Sequence, residues 1–300
     1  MNKQHLGKSL PAASVACLLM AGFASTASQA SGPSRISEAD IEVESAQQFA
    51  EMKASMPLIT DREVIDYIAC VANAVVMVLE PPYSDYEWEM AIFEVDSVNA
   101  FAMPGGKIGV MQGILKAAQN QHQLAAVIGH EIAHVTAKHA NERASRGKLS
   151  NVGIQVAAVL LGGGHSGATY TAYEALNQGA AFGIMLPFSR KAESEADIIG
   201  LKYMAEAGFD PRQAVPLWQN MMAQHGGKEP AEFTSTHPSG DKRIEDLIGQ
   251  WQVTLPLYND ALEAGHQPNC IEPPELQEMR DKQEQKEQAA LKKQQEPPKE

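Results

Sequence analysis

NQHQLAAVIGHEIAHVTAKHAN, residues 120–141, decides the reading of this chain. Asn120 followed three residues later by Gln123 resembles a capping box, and the apolar run behind it predicts a helix to about Asn141. Within it, His130-Glu131-Ile132-Ala133-His134 is an H-E-x-x-H motif. A spacing of four places both imidazoles on one helical face, one turn apart. Two nitrogens so placed can reach one Zn2+ ion at ~2.0–2.1 Å. Glu131, beside the first ligand, can touch the attacking water without binding the metal.

A catalytic zinc takes three protein ligands and keeps one position open. The extended motif would need glycine and histidine three and six residues after His134, where this chain has Ala137 and Ala140. His139 falls one residue off and reads as a surface histidine. The other solution is a carboxylate from a second helix, and Glu193-Ser194-Glu195-Ala196-Asp197 offers one. Glu193 and Asp197 are four apart and share a face. Glu193 is expected to complete the site, Asp197 to accept the outer N–H of a ligand histidine, and Glu195 to point elsewhere.

Around this centre the chain divides into a body and a tail. Residues 36–80 read as helices, with Ile65, Ile68, Val71, Val75 and Val76 at helical spacing around Cys70. Tyr86, Trp88, Met90 and Ile92 alternate with Glu87, Glu89 and Ala91, which predicts a half-buried strand over 86–95. Pro104-Gly105-Gly106 marks a turn between two apolar runs. Residues 142–188 are glycine-rich and apolar: a buried helix, a segment resting on a membrane, or a lid over about 145–188. Further helices are expected at 190–206, 212–225 and 241–250. Residues 272–300 carry eight acids and six bases with much glutamine, so 266–300 reads as a charged tail, helical or disordered, outside the core.

The 300 residues are 44% hydrophobic and 20% charged, which argues against a wholly disordered chain. Twenty-four Lys and Arg against 37 Asp and Glu give a net charge of −13, and this argues against a nucleic-acid partner. Lys3 and Lys8, the apolar stretch Leu10 to Phe23 and the small residues Ala27 to Ala30 read as a secretory leader cleaved after Ala30. A retained anchor, or a lipid on Cys17, are the alternatives. Export leaves Cys70 and Cys270, which invite one disulfide; two unpaired thiols are the other possibility.

Taken together these residues resemble the gluzincin metalloendopeptidases related to HtpX and the CAAX prenyl proteases, nearest to their soluble exported branch. His130-Glu131-x-x-His134 and Glu193-x-x-x-Asp197 carry the resemblance, with Ser189-Arg190 before the second motif and Gly200 after it. Leu124-Ala125-Ala126-Val127-x-Gly129 leads into the first motif as it does there. Asn99-Ala100-Phe101-Ala102-x-Pro104-Gly105-Gly106 resembles the family's strand and turn beside the cleft, and Thr236-His237-Pro238 with Arg243 its late His-Pro motif. The likeness covers about residues 40–250, and it extends neither to membrane-spanning helices, nor to a helical-repeat domain, nor to a clear lipobox.

The resemblance implies an α+β fold: a mostly helical zincin-like domain over 31–265, with a small sheet whose edge strand flanks the cleft. It implies one Zn2+ ion on His130, His134 and Glu193, and it places His237 near the metal. His237 would then stabilise the oxyanion, or hold the fourth zinc position and keep the enzyme latent. Arg243 would support the site from outside the ligand set. The expected function is zinc-dependent hydrolysis of unfolded or misfolded envelope proteins in the periplasm, with Glu131 as general base. Extended chains would lie along Asn99, Ala100, Phe101 and Ala102, and the outer-membrane assembly machinery is a candidate partner. An assembly factor or chaperone that grips extended chains with proteolysis latent is the alternative.

Overall fold

A computed structural model describes residues 37–145, 188–223, 237, 242–282 and 285. The expected leader, residues 146–187 of the expected lid and the end of the tail lie outside the described residues. Among those described, no helix is long and apolar enough to cross a membrane.

Two helices open the fold, α1 (Glu38–Ser55) and α2 (Arg62–Val76). The Ser37 hydroxyl accepts from the Asp40 N–H, while the Asp40 carboxylate accepts from the Ser37 N–H, a reciprocal cap that starts α1. Three strands follow: β1 (Glu89–Phe93), β2 (Ala100–Met103) and β3 (Lys107–Met111). β3 is central, parallel to β1 and antiparallel to β2. Pro57–Ile59 bonds to the outer side of β1, through Ile59 N–H to Ile92 O at 2.9 Å and Glu94 N–H to Pro57 O at 2.9 Å. β2 forms the opposite edge.

The period-two reading of β1 holds, but the strand is buried on both faces rather than one. Ala91 and Phe93 pack with Phe49, Met52 and Met56 at α1, whereas Ile92 joins the larger core with Ile68, Val71 and Val75 of α2. The difference arises because α1 covers the face that the sequence left to solvent.

After a single turn, α3 (Ile114–Ala117), comes α4 (Gln121–Thr136), whose Leu124, Ile128 and Ile132 are wholly buried in the larger core. α4 ends five residues before the expected Asn141. Lys138 takes a left-handed backbone, φ 56°, and a separate helix α5 (His139–Ser145) begins. The chain continues through α6 (Arg190–Glu206), α7 (Ala214–Ala223), α8 (Arg243–Gly249) and α9 (Trp251–Glu263). The sequence reading gave no element at α9, which carries Pro256 inside it.

The charged tail also needs correction at its start. Residues 274–282 are helical and pack on the body. Pro273, Leu276 and Arg280 are buried at helical spacing, Leu276 within the larger core. Arg280 pairs with Glu272 at 2.8 Å and donates to the Leu115 carbonyl at 3.4 Å. Cys270 is bonded to Cys70, 200 residues away in sequence, and its N–H donates to Gln121 Oε1 at 2.8 Å. The few apolar residues that hold this segment, Cys270, Leu276 and Met279, are scattered among charges, so composition alone hides the contact.

Candidate metal centre

Two helices build the centre, and each starts at a defined cap. Asn120 accepts from the His122 and Gln123 N–H groups and starts α4. The Gln123 side chain reaches back as expected, although it accepts from Gln119 N–H rather than from Asn120. Ser189 accepts from Ala192 N–H and starts α6. At its far end α4 is pinned by Tyr83 and Tyr203, whose hydroxyls donate to Thr136 O at 2.9 Å and Thr136 Oγ1 at 3.0 Å.

α4 and α6 meet at a pair of glycines. A Cβ on Gly129 would stand 2.8 Å from Gly200 O, and one on Gly200 would stand 2.7 Å from His130 N. Backbone therefore touches backbone with no side chain between. This close approach lets the Glu193 carboxylate, two turns earlier on α6, reach the imidazoles of α4.

His130, His134, Glu193 and His237 are all buried, and one ligand atom from each lies within 4.8 Å of all the others. His130 Nε2 is 3.1 Å from His134 Nε2, 3.3 Å from Glu193 Oε2 and 3.4 Å from His237 Nδ1. Glu193 Oε1 is 3.5 Å from His134 Nε2 and 3.3 Å from His237 Nδ1. Four donors at ~2.0–2.1 Å from one tetrahedral ion stand about 3.3–3.4 Å apart. The observed separations match the edges of such a tetrahedron. Neither oxygen of Glu193 meets a donor in good hydrogen-bond geometry among the described residues, so its imidazole contacts are lateral, as between ligands of a shared centre. Imidazoles with one carboxylate are a zinc-type donor set, and these residues fit that ion.

The electrostatics ask for a cation at the same point. Glu131 and Glu193 are buried and Asp197 is partly buried, so three carboxylates stand together with little access to water. Burial pushes the Glu131 carboxyl up. Burial also works against Glu193 and Asp197, but the charges of His237 and His130 outweigh it at Glu193, and the Arg243 guanidinium outweighs it at Asp197. Both are held below the usual carboxylate range. Burial opposes a charge on His130, yet Asp197 and Glu193 overcome it and push that imidazole up to about 10. His134 moves the other way, driven well down by burial and by the neighbouring imidazoles. Asp197 and Glu193 thus favour positive charge at His130, and a proton or a metal ion can supply it.

The outer contacts bring Asp197 and Arg243 to His130, and they overturn the expectations for His139 and Glu195. Asp197 Oδ1 lies 3.0 Å from His130 Nδ1 and accepts from Arg243 Nη2 at 2.6 Å. Arg243 stacks on the Trp218 ring, 3.6 Å from its centroid. His139, expected at the surface, is only 3% exposed, and its Nδ1 is 2.9 Å from His134 Nδ1. The break at Lys138 is the reason: a continuous helix would carry position 139 away from position 134, and the left-handed residue turns it back. Glu195 does not point elsewhere either, since its Oε2 is 3.6 Å from His139 Nε2. Phe188 stacks on the His134 ring, with centroids 3.8 Å apart. The sequence reading missed Phe188 and Trp218; an aromatic residue just before the Ser189 cap was the only available signal for the first.

Glu131 is 2% exposed, and its Oε1 is 3.6 Å from His237 Nε2. β2 packs beside α4. Asn99 caps its own strand, its Oδ1 accepting from Ala100 N–H at 2.9 Å. Phe101 packs across Gly109 into the cluster at α1, which leaves Ala100 and Ala102 on the α4 side.

The model of peptidase family M48 matches residues 62–250. The mitochondrial metalloendopeptidase OMA1 of Schizosaccharomyces pombe is 39% identical over 186 residues, covering 61% of this chain and 52% of that protein. The beta-barrel assembly-enhancing protease of Yersinia pestis is 31% identical over 202 residues, 65% of this chain and 40% of that one. Its counterpart in Escherichia coli K12 is 29% identical over 215 residues, 69% of this chain and 43% of the other. The chain spans about half the length of these relatives or less.

Proposed function

The chain belongs to peptidase family M48, and from that premise we propose that it is a zinc-dependent endopeptidase with His130, His134 and Glu193 as metal ligands. The observation that carries the reading is the set of ligand-atom separations of 3.1–3.5 Å, which match one tetrahedral ion. When bound, zinc would polarise the scissile carbonyl and acidify a water. Glu131 takes the proton of the attacking water and returns it to the leaving amine. Its buried carboxyl, with the pKa raised, suits both halves of that transfer. Asp197 accepts from His130 Nδ1–H and keeps Nε2 free for the metal, and Arg243 keeps Asp197 ionised. The edge strand β2 would hold an extended chain by main-chain hydrogen bonds, which favours unfolded substrates and broad sequence tolerance.

His237 supports a second reading. Its Nδ1 sits at tetrahedral-edge distances from both His130 and Glu193, at the fourth corner. Held there, it closes the site until a substrate or partner displaces it, and the protein would then grip extended chains without cutting them. With the site open, the same imidazole would steady the oxyanion. Export to the periplasm is supported by the leader pattern and by the Cys70–Cys270 pair, although relatives include proteins named as mitochondrial. A link to outer-membrane assembly is supported by the likeness to the beta-barrel assembly-enhancing proteases.

The test is cleavage of casein by the zinc-loaded protein, with Glu131→Gln as the paired control. Cleavage lost in Glu131→Gln with zinc retained supports the peptidase. Zinc-loaded wild type that cleaves neither casein nor any other unfolded protein refutes it, unless His237→Ala then cleaves, which would favour the latent reading.

A further inference from the structure

We propose that His139 is a positioning residue for the metal ligand His134, fixing which of its ring nitrogens carries the proton, with Glu195 terminating the chain of contacts. The inference rests on the reading of the cluster as a metal centre. His134 presents Nε2 to that cluster, 3.1 Å from His130 Nε2 and 3.5 Å from Glu193 Oε1. A nitrogen that binds a metal must carry its lone pair, so the His134 proton resides on Nδ1. The group opposite is His139 Nδ1, at 2.9 Å. Two N–H groups cannot face each other at that distance, so His139 Nδ1 accepts and its own proton sits on Nε2. His139 Nε2 faces Glu195 Oε2 at 3.6 Å, longer than a hydrogen bond, so the contact is an electrostatic one between the Nε2–H and a half-exposed carboxylate. The order is therefore His134 Nδ1–H to His139, and His139 Nε2–H toward Glu195.

The two ligand histidines are thus supported differently. His130 leans on the partly buried carboxylate of Asp197, which Arg243 also holds. His134 leans on a neutral imidazole and is stacked by Phe188, so one neighbour fixes the ring plane and the other its proton. The left-handed turn at Lys138, φ 56°, exists at the one place where it returns residue 139 to the ligand face.

Three proteins separate this role from packing: wild type, His139→Phe, which keeps a ring without an acceptor, and His139→Asn, whose Oδ1 can replace the lost acceptor. Chelator competition gives Zn2+ and Co2+ affinities without any activity assay. The expected result is about 10–100-fold weaker binding in His139→Phe, the usual cost of losing a ligand's outer partner, and recovery to within about threefold in His139→Asn. Nitrogen-15 NMR of zinc-loaded wild type should show His134 protonated at Nδ1 and His139 protonated at Nε2. Phe and Asn variants of equal affinity, or His139 protonated at Nδ1, would overturn the proposal while leaving the metal centre intact. Wild type that fails to bind zinc overturns both. Should His139→Phe not fold, the NMR assignment and His139→Asn still decide.

Discussion

Gly200→Ala tests whether the ligand geometry is set by the contact of two helix backbones. The added Cβ would lie 2.7 Å from His130 N and 2.9 Å from both Gly129 C and His130 Cα. Ordinary contact starts at 3.4 Å, so three backbone atoms are overlapped by about 0.5–0.7 Å, with no flexible side chain to yield. α6 must then withdraw from α4 by a comparable amount. Glu193 rides on α6, and its separations of 3.3 and 3.5 Å from the imidazoles would widen toward about 4 Å, beyond the ±0.2 Å that metal–ligand bonds tolerate. Overpacking of this kind costs about 1–3 kcal/mol, which for a domain of this size lowers Tm by roughly 2–10 °C. Zinc affinity should fall by at least about tenfold, as for other disturbed ligand settings. Calorimetry and chelator competition read both quantities. Gly249→Ala is the control, because a Cβ there meets nothing within 4 Å, and it should be neutral or slightly stabilising. A Gly200→Ala protein with the Tm and zinc affinity of the wild type would refute the argument.

Leu276→Ala should cost about 2–4 kcal/mol in denaturant unfolding, since Leu276 is 3% exposed; a solvated tail would register under 0.5 kcal/mol. Cys70→Ser should remove about 5 kcal/mol of stability, the loop-entropy value for a 200-residue closure, and a reductant should reproduce that loss in the wild type alone. Asp210 is disfavoured by burial, but Arg212 outweighs this and lowers its pKa. A carboxylate depressed in the folded state stabilises above its unfolded pKa of about 3.9, and the contribution disappears as pH falls through the folded value. Asp210→Asn should therefore be less stable than wild type by a constant margin from pH 6 to 8, and the margin should shrink below pH 4. A gap that grows on acidification would show the sign to be wrong.

What could be read from sequence was local. His130 and His134 lie one turn apart on one helix, as do Glu193 and Asp197, so each pair follows from helical spacing alone. Joining the pairs depended on Gly129 and Gly200, whose meeting is a tertiary event that no periodicity encodes. His139 was misplaced because a helix was assumed to continue through Lys138, a residue type that rarely adopts the left-handed turn found there. β1 was assigned to one buried face because nothing in its own alternation reveals that α1 lies across the other. The packing of the start of the tail is hidden because it rests on a few apolar residues, Cys270, Leu276 and Met279, set among many charges.

The strap that returns to the body has a consequence in time. Cys270 N–H meets Gln121, in the first turn of the helix that bears the zinc motif, and Arg280 reaches the Leu115 carbonyl just before that helix. A chain emerging from its N-terminus has made every described ligand of the centre by residue 237, yet the cover over the start of that helix is still unsynthesised. The chain would therefore hold its donor atoms before it holds the strap that ties down the start of the zinc-motif helix, and that tie must await the last part of the body.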